Sequence, residues 1–358
     1  MEKFGFVGLP NAGKSSLYNA LTGGSALAAP YAFATTDPNV GVAKVPDHRL
    51  DLLAEMSRSN NIVHTSVQFT DIGGLVEGAS QGEGLGNQFL ANIREVDAIV
   101  YVLRAFLDPD VPGEPDPLEQ LSILEIELTL ADLESVEKQA AKKIKAARLE
   151  KALAAEAEAL ERAIDSLSAG TPLYRSDLPK EQLELLKPYF LLTAKPVIAM
   201  VNIGEDQLSD PTHVMQPVVE ELEGMAEVIS ACIQLEAEAS ELSPDERTDL
   251  LEGFGLGKGA LPRFIQQAYH ILGLRTFLTT GEKESRAWTF REGSTAPQAA
   301  GRIHTDFQRG FIRAETINWE VLLDCGGWTE AREVGKIRVE GKDYIVKDGD
   351  VMDFRFNV

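Results

Sequence analysis

Four short apolar runs recur in the first 202 residues, each rich in β-branched or aromatic residues and each ending in a polar or glycine-containing turn. They read FGFVGL, SVQFTDI, AIVYVL and KPVIAMVN. Helix-compatible stretches separate them, and this alternation predicts buried parallel strands in a doubly wound α/β sheet. Ligands of such sheets bind at the carboxyl ends of the strands, so functional residues are expected there.

A helical period follows the third run. From Leu128 to Leu167 apolar residues recur at steps of three and four, which predicts a long helix with one apolar seam. A helix of about 40 residues would span about 60 Å, longer than a crossover between strands needs. An antiparallel helical arm is therefore preferred over a pair of ordinary crossover helices. Gly170 and Pro172 end it before a short amphipathic piece at 181–186.

The last part of the chain alternates with a period of two. The runs RAWTF, FIRAETI, KIRVE and KDYIV are separated by glycine-rich and Asp-Gly turns, which predicts a small β-rich domain. The chain is thus divided into an α/β domain in two parts, at 1–127 and 193–275, a helical insertion at 128–192 and a β-rich domain at 276–358.

Composition restricts the location and the partners. The chain has no secretory signal at its start and no apolar run of about 18 residues, so a cytoplasmic protein without a membrane partner is predicted. Cys232 and Cys325 are too few for a disulfide framework or a zinc site. The net charge of −22 disfavours charge-driven binding to nucleic acid. From Thr276 onward 12 basic residues face 14 acidic ones, so the last domain is the least repelled by a polyanion.

A phosphate-binding motif follows the first run. Gly8 to Ser15 reads GLPNAGKS and fits G-x-x-x-x-G-K-[ST], directly before the helix-like SSLYNALTG. Backbone N–H groups of such a loop and the N-terminus of the next helix surround phosphate oxygens. Lys14 is expected to reach the outer phosphates and Ser15 to ligate Mg²⁺. The motif predicts a site for a purine nucleoside triphosphate with magnesium.

Two further segments are candidates for sensing the γ-phosphate. Asp71 closes the second run in DIGG, where it would hold the magnesium shell while the Gly74 N–H meets the phosphate. Thr35 in FATTDPN would give a hydroxyl to magnesium and order its loop in the triphosphate state, with Thr36 as the alternative. The glycine-rich stretch 78–86 follows the D-x-x-G motif and is interpreted as a mobile switch segment rather than a dinucleotide loop.

The segment after the fourth run is expected to determine which nucleotide base is bound. Guanine-specific proteins of this class carry N-K-x-D there, whereas this chain has Asn202, Ile203, Gly204 and Glu205. The longer Glu205 carboxylate would be displaced from guanine, and adenine would suit backbone groups near Asn202 and Ile203 better. ATP is therefore the predicted nucleotide, and GTP is the alternative.

With these motifs the chain closely resembles the YchF family, also called Obg-like ATPases or EngD, a branch of the Obg-related translation-factor GTPases. The resemblance runs nearly end to end through GLPNAGKSS, FATTDPNVG, DIGGLVEGASQGEGLGNQFL, NIGE, STAPQAAGRIHTDFQRGFIRAE and EGKDYIVKDGDVMDFRFNV. It implies a P-loop G domain, an inserted coiled coil and a C-terminal TGS domain with a β-grasp fold. It also implies hydrolysis of ATP in preference to GTP and association with ribosomes, expected at the large subunit.

The resemblance also implies the site residues. The nucleotide-binding set is Asn11, Ala12, Gly13, Lys14, Ser15 and Ser16 in the phosphate loop, Thr35 and Gly74 in the switches, Asn202, Ile203 and Glu205 at the base, and Ser230, Ala231 and Cys232 in the remaining base-side loop. The metal ligands would be Ser15, Thr35 and Asp71. Asn11 matches an asparagine of potassium-stimulated relatives, so bound K⁺ is one interpretation and a turn residue after Pro10 is the other.

The group that activates the attacking water is not assigned, and Lys14 is the one catalytic residue named. Leu75 stands where many GTPases carry a water-positioning glutamine, and the loop RAFLDPDVPGEPDPLEQL lacks the histidine of the family, so slow turnover is expected. A nucleotide-dependent switch is the leading hypothesis. The alternatives are a true GTPase and an RNA- or ribosome-binding module with little hydrolysis.

Two sets of basic residues would support the hypothesis of an RNA- or ribosome-binding module. They are Lys142, Lys143, Lys145, Arg148 and Lys151 on the arm, and Arg302, Arg309, Arg313, Lys336, Arg338 and Lys342 in the last domain. Each set is equally well explained as a solvated charged face.

Overall fold

The computed structural model describes residues 2–23, 40–72, 85–111, 113–147 and 149–357, and for 85–88 it describes the backbone alone. The chain divides into two compact units, one of Met1–Ala43 with Gln68–Phe264 and the other of Lys44–Val67 with Ile265–Val358. Residues 44–67 thus group with the C-terminal unit, whereas the sequence prediction placed them in the first α/β segment. The predicted division into four segments otherwise stays a proposal.

The described residues form strands and helices with the following bounds. The strands are β1 (Lys3–Val7), β2 (Val40–Lys44), β3 (Ile62–Val63), β4 (Ser66–Asp71), β5 (Ala98–Arg104), β6 (Val197–Asn202), β7 (Glu227–Ala231), β8 (Leu274–Thr279), β9 (Ser285–Arg291), β10 (Phe311–Asn318), β11 (Arg338–Glu340) and β12 (Asp350–Phe356). The helices are α1 (Lys14–Gly23), α2 (His48–Ser57), α3 (Leu85–Arg94), α4 (Pro117–Ala147), α5 (Ala154–Ser168), α6 (Lys180–Leu186), α7 (Thr212–Leu222), α8 (Ile233–Ser240), α9 (Pro244–Gly253), α10 (Leu261–Ile271), α11 (Ala296–Ile303), α12 (Thr305–Arg309), α13 (Trp319–Cys325) and α14 (Trp328–Glu333). None of these helices combines the length and apolar character that crossing a lipid bilayer requires.

The first sheet has six strands in the order β2-β4-β1-β5-β6-β7. The pairs from β4 to β7 are all parallel. Every residue of β5 and of β6 is buried, because helices cover both faces of such a sheet and leave no polar face on its central strands. The four strands predicted from the apolar runs, and the mostly parallel α/β sheet, are confirmed.

The helical insertion is present, but the prediction of one seam-bearing helix from 128 to 167 is wrong. α4 is 31 residues long and begins at Pro117, and α5 begins at Ala154 after a short turn. The early part of α4 packs against the parallel sheet through residues such as Leu124, whereas Val136 packs with Leu160 of α5 in a separate core. Chain reversal lets each apolar seam bury the other, as in the antiparallel arm predicted from the sequence. The steps of three and four break to six between Ala147 and Leu153, which is where the turn lies.

The second sheet has the order β11-β10-β12-β8-β9-β3 and is mixed. β10 pairs antiparallel with β11 and β12, β8 pairs antiparallel with β9, and the β12–β8 and β9–β3 pairs are parallel. RAWTF and FIRAETI lie in strands as predicted, and the last three residues of KIRVE form β11. KDYIV does not, because its backbone bonds to the residues around the N-terminus of α11: Ala296 N donates to Tyr344 O at 2.8 Å and Val346 N donates to Ser294 O at 3.0 Å. The strands β8 and β12 were not predicted.

Candidate nucleotide-binding site

The loop between β1 and α1 is a tight turn that requires its glycines. Asn11 and Gly13 adopt positive φ angles of 60° and 103°. A Cβ atom on Gly8 would lie 2.5 Å from the Val102 carbonyl oxygen, and one on Gly13 would lie 2.4 Å from Asn202 Nδ2. Neither approach is sterically allowed, so both positions need glycine. Asparagine tolerates the left-handed region better than most residues, which is consistent with Asn11 as a turn residue.

Lys14 closes this loop from inside. Its Nζ donates hydrogen bonds to Gly8 O at 3.1 Å and Leu9 O at 2.8 Å. Burial lowers the pKa of Lys14, and the nearby Asp71 carboxylate partly offsets that effect. The ammonium group is therefore poorly solvated and is held at the end of the loop where phosphate oxygens would approach the N-terminus of α1.

Two of the predicted metal ligands meet in the structure. Ser15 Oγ at the start of α1 donates to Asp71 Oδ2 at the end of β4, at 2.7 Å. A hydroxyl and a carboxylate oxygen at this spacing are donors of the hard type that Mg²⁺ prefers. The donor set of this pair fits magnesium. The third predicted ligand, Thr35, lies outside the described residues, as do Thr36, Gly74 and Leu75.

Asn202 connects the phosphate loop to the opposite side of the pocket. Its Nδ2 donates to Ala12 O at 3.0 Å, and its Oδ1 accepts from Ile233 N, the first residue of α8, at 3.1 Å. The side chain is 5% exposed, so both bonds are sheltered from water. Asn202 therefore holds the P-loop and the start of α8 at a fixed separation.

Backbone donors beside Asn202 are already used within the protein. Ile203 N donates to Ala231 O at 3.0 Å, and Gly204 N donates to Gln207 Oε1 at 2.8 Å. Of the backbone groups near Asn202 and Ile203 that were expected to suit adenine, these two N–H groups are therefore occupied within the protein.

The loop after β5 forms one wall that the sequence motifs did not mark. Gln207 Nε2 donates to Ala105 O at 3.0 Å, and Gln120 of α4 makes two 2.8 Å hydrogen bonds to the backbone of Arg104. Arg104 in turn donates to Gly113 O at 2.8 Å. These contacts shape residues 105–111. Their position at the carboxyl end of a central strand is the signal that could have identified them.

The elements enclose a pocket of about 870 Å³. Of the predicted site residues it is lined by Asn11, Gly13, Lys14, Ser15, Ser16, Asn202, Ile203, Glu205 and Cys232. Ala12 and Ala231 lie behind it as hydrogen-bond acceptors, and Ser230 pairs with Val201 inside the sheet. Residues that the motifs missed are Phe106, Leu107, Asp108 and Val111 after β5, and Gln234, Ala237, Glu238 and Glu241 on or beside α8.

Charge is divided unequally along the pocket. Lys14 and the N-terminus of α1 make the phosphate end positive. The pocket is also lined by the carboxylates Asp108, Glu205, Asp206, Glu238 and Glu241. It thus combines one buried ammonium group with several acidic side chains. Cys232 is buried beside it, and burial raises the pKa of its thiol.

Comparison with known proteins assigns the chain to a protein family. The family described as 50S ribosome-binding GTPase matches residues 3–144, and YchF-GTPase_C, described as a protein of unknown function, matches residues 274–357. A Bacillus subtilis protein named Ribosome-binding ATPase YchF is 46% identical over 361 residues, 99% of each chain. The chain belongs to the YchF family. A Haemophilus influenzae YchF of the same name is 45% identical over 360 residues, again 99% of each chain.

Solved structures agree with this assignment. The Schizosaccharomyces pombe YchF GTPase is 35% identical, with a TM-score of 0.89 over 99% of this chain and 97% of that one. A GTP binding protein from Pyrococcus horikoshii, 22% identical with a TM-score of 0.62 over 100% of both chains, shares the fold. The YchF assignment confirms the predicted family and the P-loop α/β fold with a helical insertion.

Proposed function

We propose that this chain is a ribosome-associated P-loop NTPase that hydrolyses ATP to ADP and phosphate in preference to GTP. The observation that carries the proposal is that Asn202, Ile203 and Glu205 line the same pocket as the P-loop. A lysine and an aspartate would be needed in this segment for the N-K-x-D recognition of guanine, and neither stands at its motif position. The B. subtilis and H. influenzae relatives are named as ribosome-binding ATPases.

The phosphates would bind between the loop backbone and Lys14. When phosphate oxygens arrive, Lys14 Nζ exchanges its bonds to Gly8 O and Leu9 O for bonds to the outer phosphates. Ser15, Asp71 and Thr35 would hold Mg²⁺, which when bound neutralises charge that develops on the phosphate oxygens. The Gly74 N–H would meet the γ-phosphate. Ordering of Thr35 and Gly74 in the triphosphate state, and their release after hydrolysis, would make the protein a switch.

The base would lie against apolar surface at the far end. Phe106 and Ile203 both line the pocket there, and their side chains offer the surface on which a purine ring stacks. The adenine N6 amino group can donate a hydrogen bond to the Glu205 carboxylate. The extra methylene of Glu205 moves this carboxylate from the place where aspartate accepts two bonds from guanine.

Two parts of the proposal concern partners and ions. On the arm Lys142, Lys145 and Lys151 are exposed, whereas Lys143 is paired with Glu156 at 3.0 Å. The exposed lysines would contact ribosomal RNA of the large subunit, and reversal of their charges should make ribosome binding less dependent on salt concentration.

Binding of K⁺ beside Asn11 is a second hypothesis. Equal ATPase rates in potassium and sodium buffers would remove it.

The decisive experiment is calorimetric titration of nucleotide-free protein with ATP and with GTP in magnesium and potassium buffer. ATP should bind at least about tenfold more tightly, a difference of about 1.4 kcal/mol. Lys14→Ala is the control, and its affinities for ATP and GTP should fall by similar factors. Tighter binding of GTP would overturn the base assignment in favour of an ordinary GTPase. Binding without phosphate release, also in the presence of ribosomes, would favour a nucleotide-stabilised RNA-binding module.

A further inference from the structure

The mixed sheet of the C-terminal unit contains a strand edge that no strand of the described residues pairs with. β12 and β8 run parallel with Val351 opposite Leu278, and β8 ends one residue later at Thr279. β12 continues to Phe356. Residues 354–356 are paired with β10 on one side and extend beyond the end of β8 on the other. The backbone groups that a neighbouring strand would use are therefore left at this edge.

The end of β8 is fixed by specific contacts. Thr280 Oγ1 donates to Leu53 O of α2 at 3.1 Å, and Ser59 Oγ donates to Gly281 O at 2.8 Å. These bonds draw the turn toward α2 and out of the line of β8. The open edge is thus built into the fold and does not result from fraying of a strand end.

A cavity of about 530 Å³ occupies the place that a longer β8 would fill. Ile303 and Phe307, from α11 and α12, line it together with Trp328 and Arg332 of α14. Side chains alternate between the two faces of a strand, so these helices close the slot above and below the sheet. The remaining entrance lies in the plane of the sheet, beside β12.

One wall of the slot is apolar. Phe354 packs in the core that contains Phe311. Two residues further along β12, on the same face, the Phe356 ring stacks on Phe307 with centroids 3.8 Å apart. Phe356 is still 38% exposed. An apolar side chain entering the slot would cover this surface.

The other face has an excess of positive charge. Arg355 on β12 lies directly opposite Arg313 on β10, and both are exposed. Like charges in direct cross-strand positions destabilise a pair. Arg355 is bonded to Asp353 at 3.0 Å, and Arg332 is bonded to Glu315 at 2.7 Å, so three arginines share two carboxylates. Acidic side chains of a bound segment would relieve the repulsion between Arg313 and Arg355.

We propose that this slot binds an extended acidic peptide segment of a partner protein, added as a strand beside residues 354–356 of β12. Main-chain hydrogen bonds would hold the peptide, and its apolar side chains would contact Phe356. The alternate acidic side chains would lie beside Arg355 and within the field of Arg313, one strand further away. The strand edge matches the spacing of a peptide backbone, which a ribose-phosphate backbone does not reproduce. The covered faces admit one extended chain.

The test uses the full chain and blocked, labelled hexapeptides, with binding followed by fluorescence anisotropy. A peptide of alternating leucine and glutamate should bind, and one of alternating leucine and lysine should bind at least about tenfold more weakly. N-methylation of alternate amides, which removes strand hydrogen bonds, should weaken binding by a similar factor. Failure of the acidic peptide to bind, or equal binding of its N-methylated form, would overturn the proposal.

Protein variants locate the site. Phe356→Ala should weaken peptide binding about tenfold, whereas Val339→Ala, an exposed position on the opposite edge strand β11, should leave it unchanged. Arg313→Ala should weaken binding more than Lys342→Ala. The bound peptide should slow hydrogen exchange of the amides at 354–356. Tighter binding of a labelled oligouridine that depends on Arg313 and displaces the peptide would reject the peptide in favour of RNA.

Discussion

The phosphate end and the base end of the nucleotide pocket are held by contacts of different range. Lys14 bonds to carbonyls five and six residues away in the chain. Asn202 bonds to a carbonyl 190 residues away and to an amide 31 residues away. The phosphate end is thus a local structure that a short motif encodes, whereas the base end is assembled by the tertiary fold.

This difference separates turnover from selectivity. Local glycines and Lys14 present the same groups to any triphosphate, because phosphates do not differ between ATP and GTP. At the base end, hydrogen bonds of the Asn202 and Gln207 side chains hold the backbone in place. The backbone N–H groups that donate to these side chains are thereby occupied. In the proposed function, selectivity between ATP and GTP rests on side chains such as Ile203 and Glu205. Changes at the two ends should therefore affect different measurements.

The largest effect is expected at the phosphate end. Lys14→Ala removes the cation at the phosphates and should lower kcat for ATP and for GTP at least about 100-fold, as the loss of one preorganised donor does elsewhere. Phosphate release under saturating nucleotide measures it. Lys142→Ala, an exposed lysine on the arm, is the matched control. Retention of normal turnover by Lys14→Ala would show that the phosphates bind elsewhere.

Asn202→Ala tests whether the base end is held by long-range bonds. The change leaves the buried Ala12 carbonyl and Ile233 amide without these partners, so the free energy of unfolding of this unit should fall by about 2–4 kcal/mol. Denaturant titration measures the loss. Affinities for ATP and GTP should fall by equal factors, because the side chain positions the loop. A selective loss of one nucleotide would instead make Asn202 a base contact.

Conversion of the base segment tests selectivity directly. Ile203→Lys combined with Glu205→Asp restores the N-K-x-D pattern and should shift the ratio of ATP to GTP affinity toward GTP by about tenfold. Turnover per bound nucleotide should change little. Asp206→Asn, which alters a neighbouring carboxylate on the same pocket, should change both affinities alike. An unchanged ratio in the double variant would place base recognition on the loop after β5.

Sequence reasoning succeeded where structure is local. The apolar runs gave β5 and β6 because both strands are buried on every face, and the P-loop motif gave the placement of Lys14 and Ser15. The pocket wall at 105–111 was not predicted from the sequence, because no motif marks the contacts of Gln120 and Gln207 that shape this wall.

Two further differences have physical causes. The predicted antiparallel arm implies a turn, but the position of that turn was not predicted, although the apolar spacing breaks between Ala147 and Leu153. KDYIV was taken as a strand because its apolar residues alternate, but Tyr344 and Val346 bond to the segment around the start of α11. Alternation alone does not specify which partner a backbone will find.

The smallest expected effect concerns a partly buried group of ion pairs between α4, α7 and the segment at 173–175. Glu125 of α4 accepts a hydrogen bond from Tyr174 and bonds to Arg175 at 2.8 Å, and Arg175 also bonds to Glu221 of α7, the helix that follows the base segment, at 2.7 Å. Burial raises the pKa of Glu125 above 4.5, against the opposing effects of Tyr174 and Arg175. The folded state therefore holds this proton more tightly than the unfolded state.

The sign of the pH dependence follows from that shift. The contribution of Glu125 to stability should be complete below pH 4.5 and should be lost as the pH rises through the raised pKa. Comparison of denaturant unfolding for the natural protein and Glu125→Gln across this range isolates the effect, since glutamine does not titrate. Glu119→Gln, at an exposed position on the same helix, should follow the natural protein. A stability difference between the natural protein and Glu125→Gln that stays constant with pH would show that this group of ion pairs is not coupled to protonation of Glu125.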